Sequence, residues 1–463
     1  IPPLTPYLVS EWHDQATGAR GWFVIDRLIG EMCSGGIRMR PGVTVDEVTD
    51  LARTMSHKMA VLDIPYGGAK SGIDYDPSSP EAPAVLRGFI DAIRPFIAER
   101  YATGADLGTR EDDIIAACQL VGLTHPLQAG FKAEGGAGLQ RVKQALALRS
   151  DDVPITELMA GYGVAECTME AADVLGMPLK GATVALQGFG NVGGAAARYL
   201  DRAGVRLTVV ADIEGTILDE NGLDVPHLLS IRDRFGRIDR RRLLPGTRCE
   251  PEPAWLQHPV DVMIPAAIGH AIRADNQAGI RCRLLVEGAN NPVTDEAEHA
   301  LEQRGVVVLP DFVANAAAAF LFCGLLEKRL EPNLDSIFSV TSRQLRSTTR
   351  QLLERAGRER VSSRRAAEEI AEERLRARLA LAKQTGVTAH HAVVHDHVQP
   401  GGSSPCGGGL VDNAVLEPDG ARRDGDGVVH DRAHELRSPK DVDDIDRLRD
   451  VTQAGIGALA QDL

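Results

Sequence analysis

The sequence predicts an α/β protein of two domains. An N-terminal α/β domain is followed by a doubly wound parallel sheet, then by closing C-terminal helices and a tail of irregular composition. Three observations carry that expectation. The chain has 463 residues, too many for one ordinary core. From about residue 165 apolar strands alternate with helices, starting with "ATVALQGFG", "NVGGAAARYLDRAG" and "VRLTVVAD". A stretch rich in helix formers, roughly 335–383, then ends the regular pattern. The boundaries expected are 1–164 for the first domain, completed by helices within 316–384, then 165–315 for the second and 385–463 for the tail.

Taken in order, "GWFVIDRL" (21–28) and "GGIRM" (35–39) read as strands. Over 44–62, Val45, Val48, Leu51, Met55 and Met59 recur at three- and four-residue steps, which predicts an amphipathic helix. "PYGGAKSGI" (65–73) reads as a loop, and "EAPAVLRGFIDAIRPFI" (81–97) as a second helix. Thr109 and Asp112 form a capping signal before "REDDIIAACQLVG". Residues 129–150 hold glycines and no clean period, so a mobile loop or insertion is expected there. Later strands are expected within 261–267, 283–289 and 305–311. After 385 the composition turns to Gly, His and Asp without a period, as in a disordered tail or a C-terminus read in an altered frame. Its His390, His391, His395 and His397 lack a scaffold, and no metal site is expected.

Composition narrows the partners. Hydrophobic content of 43% and charged content of 25% are those of a globular protein, and aromatic content of 4% leaves the core to aliphatic side chains. A net charge of -14 argues against nucleic acid or an anionic membrane as the main partner. The seven cysteines (Cys33, Cys118, Cys167, Cys249, Cys282, Cys323 and Cys406) are scattered, which suits reduced thiols in a cytoplasm better than disulfides or zinc. No apolar run reaches the roughly 20 residues of a membrane span. The first residues, "IPPLTPYLVSEW", lack a secretory pattern and a methionine, so a few residues are expected to be missing before Ile1.

Two stretches point to chemistry. "GFGNVG" (188–193) follows an expected strand and opens an expected helix, the context a Rossmann-type dinucleotide site requires. Gly188 permits the tight turn, Gly190 lets a pyrophosphate approach the backbone, and Gly193 allows close helix–strand packing. Asn191 and Val192 open the helix whose N-terminus receives the phosphates. Asp212 ends the next strand, where a carboxylate meets the ribose hydroxyls. With Glu214 nearby and no arginine beside it, a 2′-phosphate would be repelled, so NAD is expected over NADP. The bland alternative is a glycine turn that binds nothing. In "PYGGAKSGI", Gly67, Gly68 and Gly72 suggest a close backbone approach to a ligand at Lys70, against the alternative of a surface turn. Lys58, twelve residues earlier, could share the cleft, against the alternative of a solvated helix residue, and two neighbouring ammonium groups would depress one pKa toward that of a general base. Asp106 in "GADLG" offers a carboxylate framed by glycines.

With these stand "VEGANNPVT" (286–294) and "PDFVANA" (310–316), and the ordered set resembles the glutamate/leucine/phenylalanine/valine dehydrogenases over roughly residues 10–383. That resemblance implies an NAD-dependent, reversible oxidative deamination of an amino acid to a 2-oxo acid and ammonia in a homo-oligomer. It implies that Lys58 holds the α-carboxylate, that Lys70 activates water and that Asp106 shuttles protons. Asn290 would contact the nicotinamide ribose region, while Asn315 and Gly36 of "GGIR" would line the substrate cleft. Glutamate-specific members carry a lysine where this chain has Ser34, and a serine where it has Phe322. With Met55 and the Asn290–Asn291 pair, these tilt the expectation slightly toward an apolar side chain, a glutamate dehydrogenase proper being the alternative. Two departures bear on activity. "ANAAA" places Ala317 and Ala318 at family glycines, and Ala160 replaces a threonine near the nicotinamide. A nucleotide-sensing member without turnover is the reading from another class.

Overall fold

The computed structural model describes residues 5–233 and 235–384. The first sheet is built from β1 (Leu8–His13), β2 (Arg20–Ile25), β3 (Cys33–Met39), β4 (Gly67–Asp74) and β5 (Tyr101–Ala105), in the order β1-β2-β4-β3-β5. β1, β2 and β4 pair antiparallel, and β4, β3 and β5 pair parallel. Helix α1 (Val45–Val61) connects β3 to β4. It starts at Thr44, whose hydroxyl accepts the Glu47 amide at 3.3 Å, with Asp46 and Glu47 at the positive end of the helix dipole. α1 packs on one face of the sheet through Val48 and Ala52 against Trp22 and Val24.

The expected loop at 65–73 is strand β4, at the centre of this sheet. Its glycines are not cleared for a ligand. A Cβ on Gly67 would lie 1.6 Å from the Arg27 carbonyl, one on Gly68 2.1 Å from the Ser56 nitrogen, and one on Gly72 2.4 Å from Val48 Cγ2. They exist because the protein's own backbone and α1 press against the strand. That close approach brings the end of α1, with Lys58, beside Lys70.

The other sheet face is covered by α2 (Ala82–Ala92), α3 (Arg94–Glu99) and α4 (Glu111–Leu120), which bury Phe89, Ile97 and Ile114 with Phe23 and Tyr101. The helix expected over 81–97 is thus two, parted at Ile93 before Pro95. Thr109 does not cap α4. Arg110 is the N-cap residue, and the Thr109 hydroxyl instead donates to the Ile37 carbonyl at 2.7 Å. Residues 129–150 are ordered as α5 (Gln128–Phe131), α6 (Gly136–Leu146) and β6 (Arg149–Ser150), which pairs with β7 (Val153–Pro154). Phe131, Val142 and Ala145 are buried, and that burial outweighs the weak periodicity.

α7 (Ile155–Val174) leads into the second sheet: β8 (Thr183–Gln187), α8 (Asn191–Arg202), β9 (Arg206–Asp212), β10 (Gly215–Leu218), α9 (Val225–Ile231), β11 (Arg248–Glu250), β12 (Val262–Pro265), β13 (Leu284–Val286), α10 (Asp295–Gln303) and β14 (Val307–Leu309). Its order is β11-β10-β9-β8-β12-β13-β14, parallel from β9 to β14. The strand order switches direction between the parallel neighbours β8 and β12, the point at which doubly wound sheets bind ligands. α11 (Asp311–Ala314) and α12 (Ala317–Leu326) return to the first sheet, and α13 (Leu334–Glu359) and α14 (Ser363–Gln384) follow. The helical stretch expected over 335–383 therefore breaks at Arg360, which is left-handed with φ 56°. The tail at 385–463, with its histidines, lies outside the described residues. Among the described residues no helix is long and apolar enough to cross a membrane, and no cluster of side chains is arranged to hold a metal ion.

Candidate active site

Strand alternation builds the first half of the site. Ser34 pairs with Gly68 and Ala102, and Arg38 with Gly72. Ser34, Gly36, Arg38 and Lys70 therefore share one face. Lys70 Nζ lies 3.0 Å from Asp106 Oδ2, and Arg38 Nε donates to the same oxygen at 2.8 Å. Asp106 follows β5 in a turn closed by Thr109, whose Oγ1 accepts the Asp106 amide at 3.0 Å. Burial alone would raise the Asp106 carboxyl, but Lys70 and Arg38 outweigh it and bring it down to about 2. Asp106 is thus a carboxylate at neutral pH, able to take a proton and quick to release it.

Lys58 arrives from the last turn of α1 and donates to Asn315 Oδ1 at 2.7 Å. The Asn315 amide nitrogen donates in turn to Asn290 Oδ1 at 3.0 Å and to the carbonyls of Gly288 and Ala289, both at 3.3 Å. One amide thereby joins the lysine to the loop after β13. Burial depresses Lys58 to about 8; Lys70 adds to that effect, while Asp311 and Asp106 oppose it. The depressed lysine is the one expected to hold a carboxylate. Below about 8 Lys58 is cationic and above it neutral, so affinity for an anionic carboxylate should fall as pH rises through that value. Binding of a 2-oxo acid measured across this range checks it, and a flat profile would refute the assignment.

A cleft of about 1450 Å³ collects these groups: Lys58, Lys70, Asp106, Ser34, Gly36, Met55, Asn315 and Phe322 all line it, as do Asn191, Val192 and Asn290. Every site residue expected from the first domain is brought together there. Ala160 and Ala318 also line the cleft. Ala317 does not project beside a ligand: it is fully buried, and a Cβ on Gly163 would lie 2.7 Å from the Ala317 methyl.

The glycine turn fits a dinucleotide phosphate. Gly188 has φ 88°, and a Cβ on Gly193 would strike the Gly188 carbonyl at 1.9 Å, so both positions demand glycine. A Cβ on Gly190 would meet only the Phe235 carbonyl within 4 Å, at 3.8 Å, leaving room for a ligand at the N-terminus of α8. Asp212 departs from expectation. Each of its oxygens already accepts two hydrogen bonds: Oδ1 from the Glu214 amide and Arg240 at 2.8 and 2.5 Å, and Oδ2 from the Ile238 amide and Arg240 at 2.8 and 2.9 Å. The reading that no arginine stands beside Asp212 is therefore wrong in space. Arg240 lies 28 residues away along the chain. Sequence reasoning also missed Thr109 and Arg38. Arg38 was within reach of it, since strand alternation from Gly36 sets Arg38 on the Lys70 face.

A family model described as Glutamate/Leucine/Phenylalanine/Valine dehydrogenase matches residues 153–320, and one described as Glu/Leu/Phe/Val dehydrogenase, dimerisation domain, matches residues 9–119. The chain belongs to this family. Among curated relatives, the NADP(+)-dependent glutamate dehydrogenase of Pyrobaculum calidifontis is 33% identical over 296 residues, covering 62% of this chain and 67% of its own. Glutamate dehydrogenase B of Halobacterium salinarum is 36% identical over 61% of this chain and 64% of its own. The NAD-specific glutamate dehydrogenase of Staphylococcus aureus is 32% identical over 61% and 66%. The chain thus spans about two thirds of the length of these relatives. Among solved structures, the hetero-hexameric glutamate dehydrogenase from Thermus thermophilus in its Leu bound form is similar with a TM-score of 0.65 and 26% identity, over 81% of this chain and 90% of that one. The glutamate dehydrogenase from Peptoniphilus asaccharolyticus, at 22% identity, TM-score 0.61 and coverage of 83% and 93%, shares the fold. Relatives in this family use NAD or NADP by name, so a nicotinamide cofactor is supported and the choice between the two is open.

Proposed function

We propose that the chain catalyses the reversible oxidative deamination of an L-amino acid to a 2-oxo acid and ammonia, with a nicotinamide dinucleotide. The convergence of Lys58, Lys70 and Asp106 in a cleft also lined by Asn191 and Val192 of the glycine turn carries this reading. The turn at Gly188–Gly193 and Asn290 would hold the dinucleotide, which would supply the hydride acceptor for oxidation at the amino-acid Cα. Lys58 holds the α-carboxylate by charge and hydrogen bond. Lys70, 5% exposed, orients a water and takes its proton as the water adds to the imine carbon. Asp106 moves protons at the amino nitrogen, so that ammonia leaves as a neutral group. Closing the cleft would exclude bulk water from the imine.

Glutamate is the leading substrate, because the relatives quoted above are named glutamate dehydrogenases; this weighs against the apolar lean of the sequence. The pocket itself favours a second reading. Ser34, Met55 and Phe322, the residues placed to meet the side chain, include no cation, and a buried γ-carboxylate without one is costly. A homo-oligomer is inferred from the dimerisation-domain match, and a cytoplasmic location from cysteines that are unpaired among the described residues.

Reduced-nicotinamide absorbance on mixing protein and dinucleotide with glutamate, leucine, phenylalanine or valine tests both readings. The protein should turn over at least one of them, and Ser34→Lys should raise kcat/KM for glutamate relative to leucine by about tenfold or more. No turnover despite dinucleotide binding would sink the enzyme and support a nucleotide-sensing role. An unchanged preference in Ser34→Lys would refute the pocket assignment.

A further inference from the structure

The adenosine end of the dinucleotide site is not what its strand-end carboxylate suggests. A free carboxylate there accepts hydrogen bonds from the ribose diol and repels a 2′-phosphate. Here the Asp212 side chain is 4% exposed, and its charge is neutralised by a bidentate Arg240 at 2.5 and 2.9 Å. With two donors on each oxygen, it has no acceptor capacity left for a diol.

The arginine comes from the stretch 232–242, whose described residues wrap the glycine turn. Arg232 Nη1 donates to the carbonyls of Phe189 and Gly190 at 2.6 and 2.7 Å. Gly236, with φ 85°, sits so close that a Cβ on it would lie 2.4 Å from the Gly190 nitrogen. The segment is therefore fixed beside the pyrophosphate position. Its sequence holds six arginines against two aspartates, and Asp212 and Glu214 do not balance the excess. Arg237 is 55% exposed and lies 3.4 Å from Glu214 and 3.3 Å from Asp233. These pairings are solvent-exposed and weak, so a dianionic phosphate can displace them.

We infer that this segment makes the adenosine end a 2′-phosphate reader, so that the chain takes NADP in preference to NAD, with Arg240 and Arg237 as the discriminating side chains. The inference rests on the dinucleotide reading above. Arg240 cancels the carboxylate that would reject the phosphate, and Arg237 supplies an accessible guanidinium to meet it.

Fluorescence titration of NADPH and NADH against the intact chain tests this without turnover. NADPH should bind about tenfold tighter or more, and free 2′-AMP should compete better than 5′-AMP. Arg237→Ser should cost NADPH about threefold or more, and Arg237→Ser with Arg240→Ser about tenfold or more, while NADH holds within about threefold. Retained NADH binding shows that the variants are folded, and the exposed Arg237→Ser alone keeps the test open if the double variant is not. Equal affinities in the intact chain, or an unchanged ratio in Arg237→Ser, would overturn the inference. Failure to bind either dinucleotide would instead overturn the dinucleotide reading on which it rests.

Discussion

Lys70→Ala should lower kcat by about 10³-fold while dinucleotide affinity stays within about threefold, because general-base contributions run to about 10²–10⁴. The lysine is buried on a central strand, and its partner Asp106 is also held by Arg38 at 2.8 Å. Removing the ammonium therefore leaves the carboxylate paired and the fold intact, but removes the group assigned to take the water's proton. Asp106→Asn should behave similarly through lost proton transfer at nitrogen. Stopped-flow single turnover separates these losses from binding. A Lys70→Ala protein with unimpaired turnover would end the mechanism.

Gly68→Ala should have the largest effect on stability, about 3 kcal/mol, or a fall in Tm of roughly 6–12 °C. The added methyl would lie 2.1 Å from the Ser56 nitrogen, 2.3 Å from the Ala52 carbonyl and 2.7 Å from the Met55 carbonyl carbon. All three are backbone atoms of α1, which cannot rotate aside as a side chain would, so the helix must move as a body. Lys58 rides on that helix, and KM for the amino acid should rise together with the loss of stability. Thermal unfolding and steady-state kinetics on the one variant check both. An unchanged Tm would show that α1 and β4 are not in the contact described.

The doubly wound sheet and the glycine turn were legible in the sequence because each is a local pattern, whereas the grouping of Lys58, Lys70 and Asp106 followed from the family resemblance. α1 was legible because the apolar steps from Val45 to Met59 are contiguous, although its cap at Thr44 was not singled out. β4 was not. Three glycines in eight residues suggest a loop until α1 is known to lie on the strand, and that contact is tertiary. Thr109 fits the spacing of a cap, but its hydroxyl oxygen accepts the Asp106 amide instead of a helix amide and its proton goes to the Ile37 carbonyl, 72 residues away. Asp212 was placed correctly at the end of β9, yet its chemistry is set by Arg240, which no window around Asp212 contains. α5 and α6 are short, and their glycines conceal a burial that only the finished core reveals.

The last helix has a consequence for when the site comes into being. α14 touches α1 through Arg374, which donates to the carbonyls of Ala60 and Val61 at 3.1 and 2.8 Å. Near its own start, Arg364 reaches Glu287 and Glu298 at 2.6 and 2.7 Å, beside the loop that carries Asn290. The helix bearing Lys58 is thus capped by residues more than 300 positions later in the chain. On a ribosome the first sheet is made early, but the carbonyls at the end of α1 must wait for almost the whole described chain to emerge. Closing so long a loop is entropically costly and comes late. A nascent chain can therefore hold a formed lysine strand well before it holds a working cleft, and catalytic competence waits for α14.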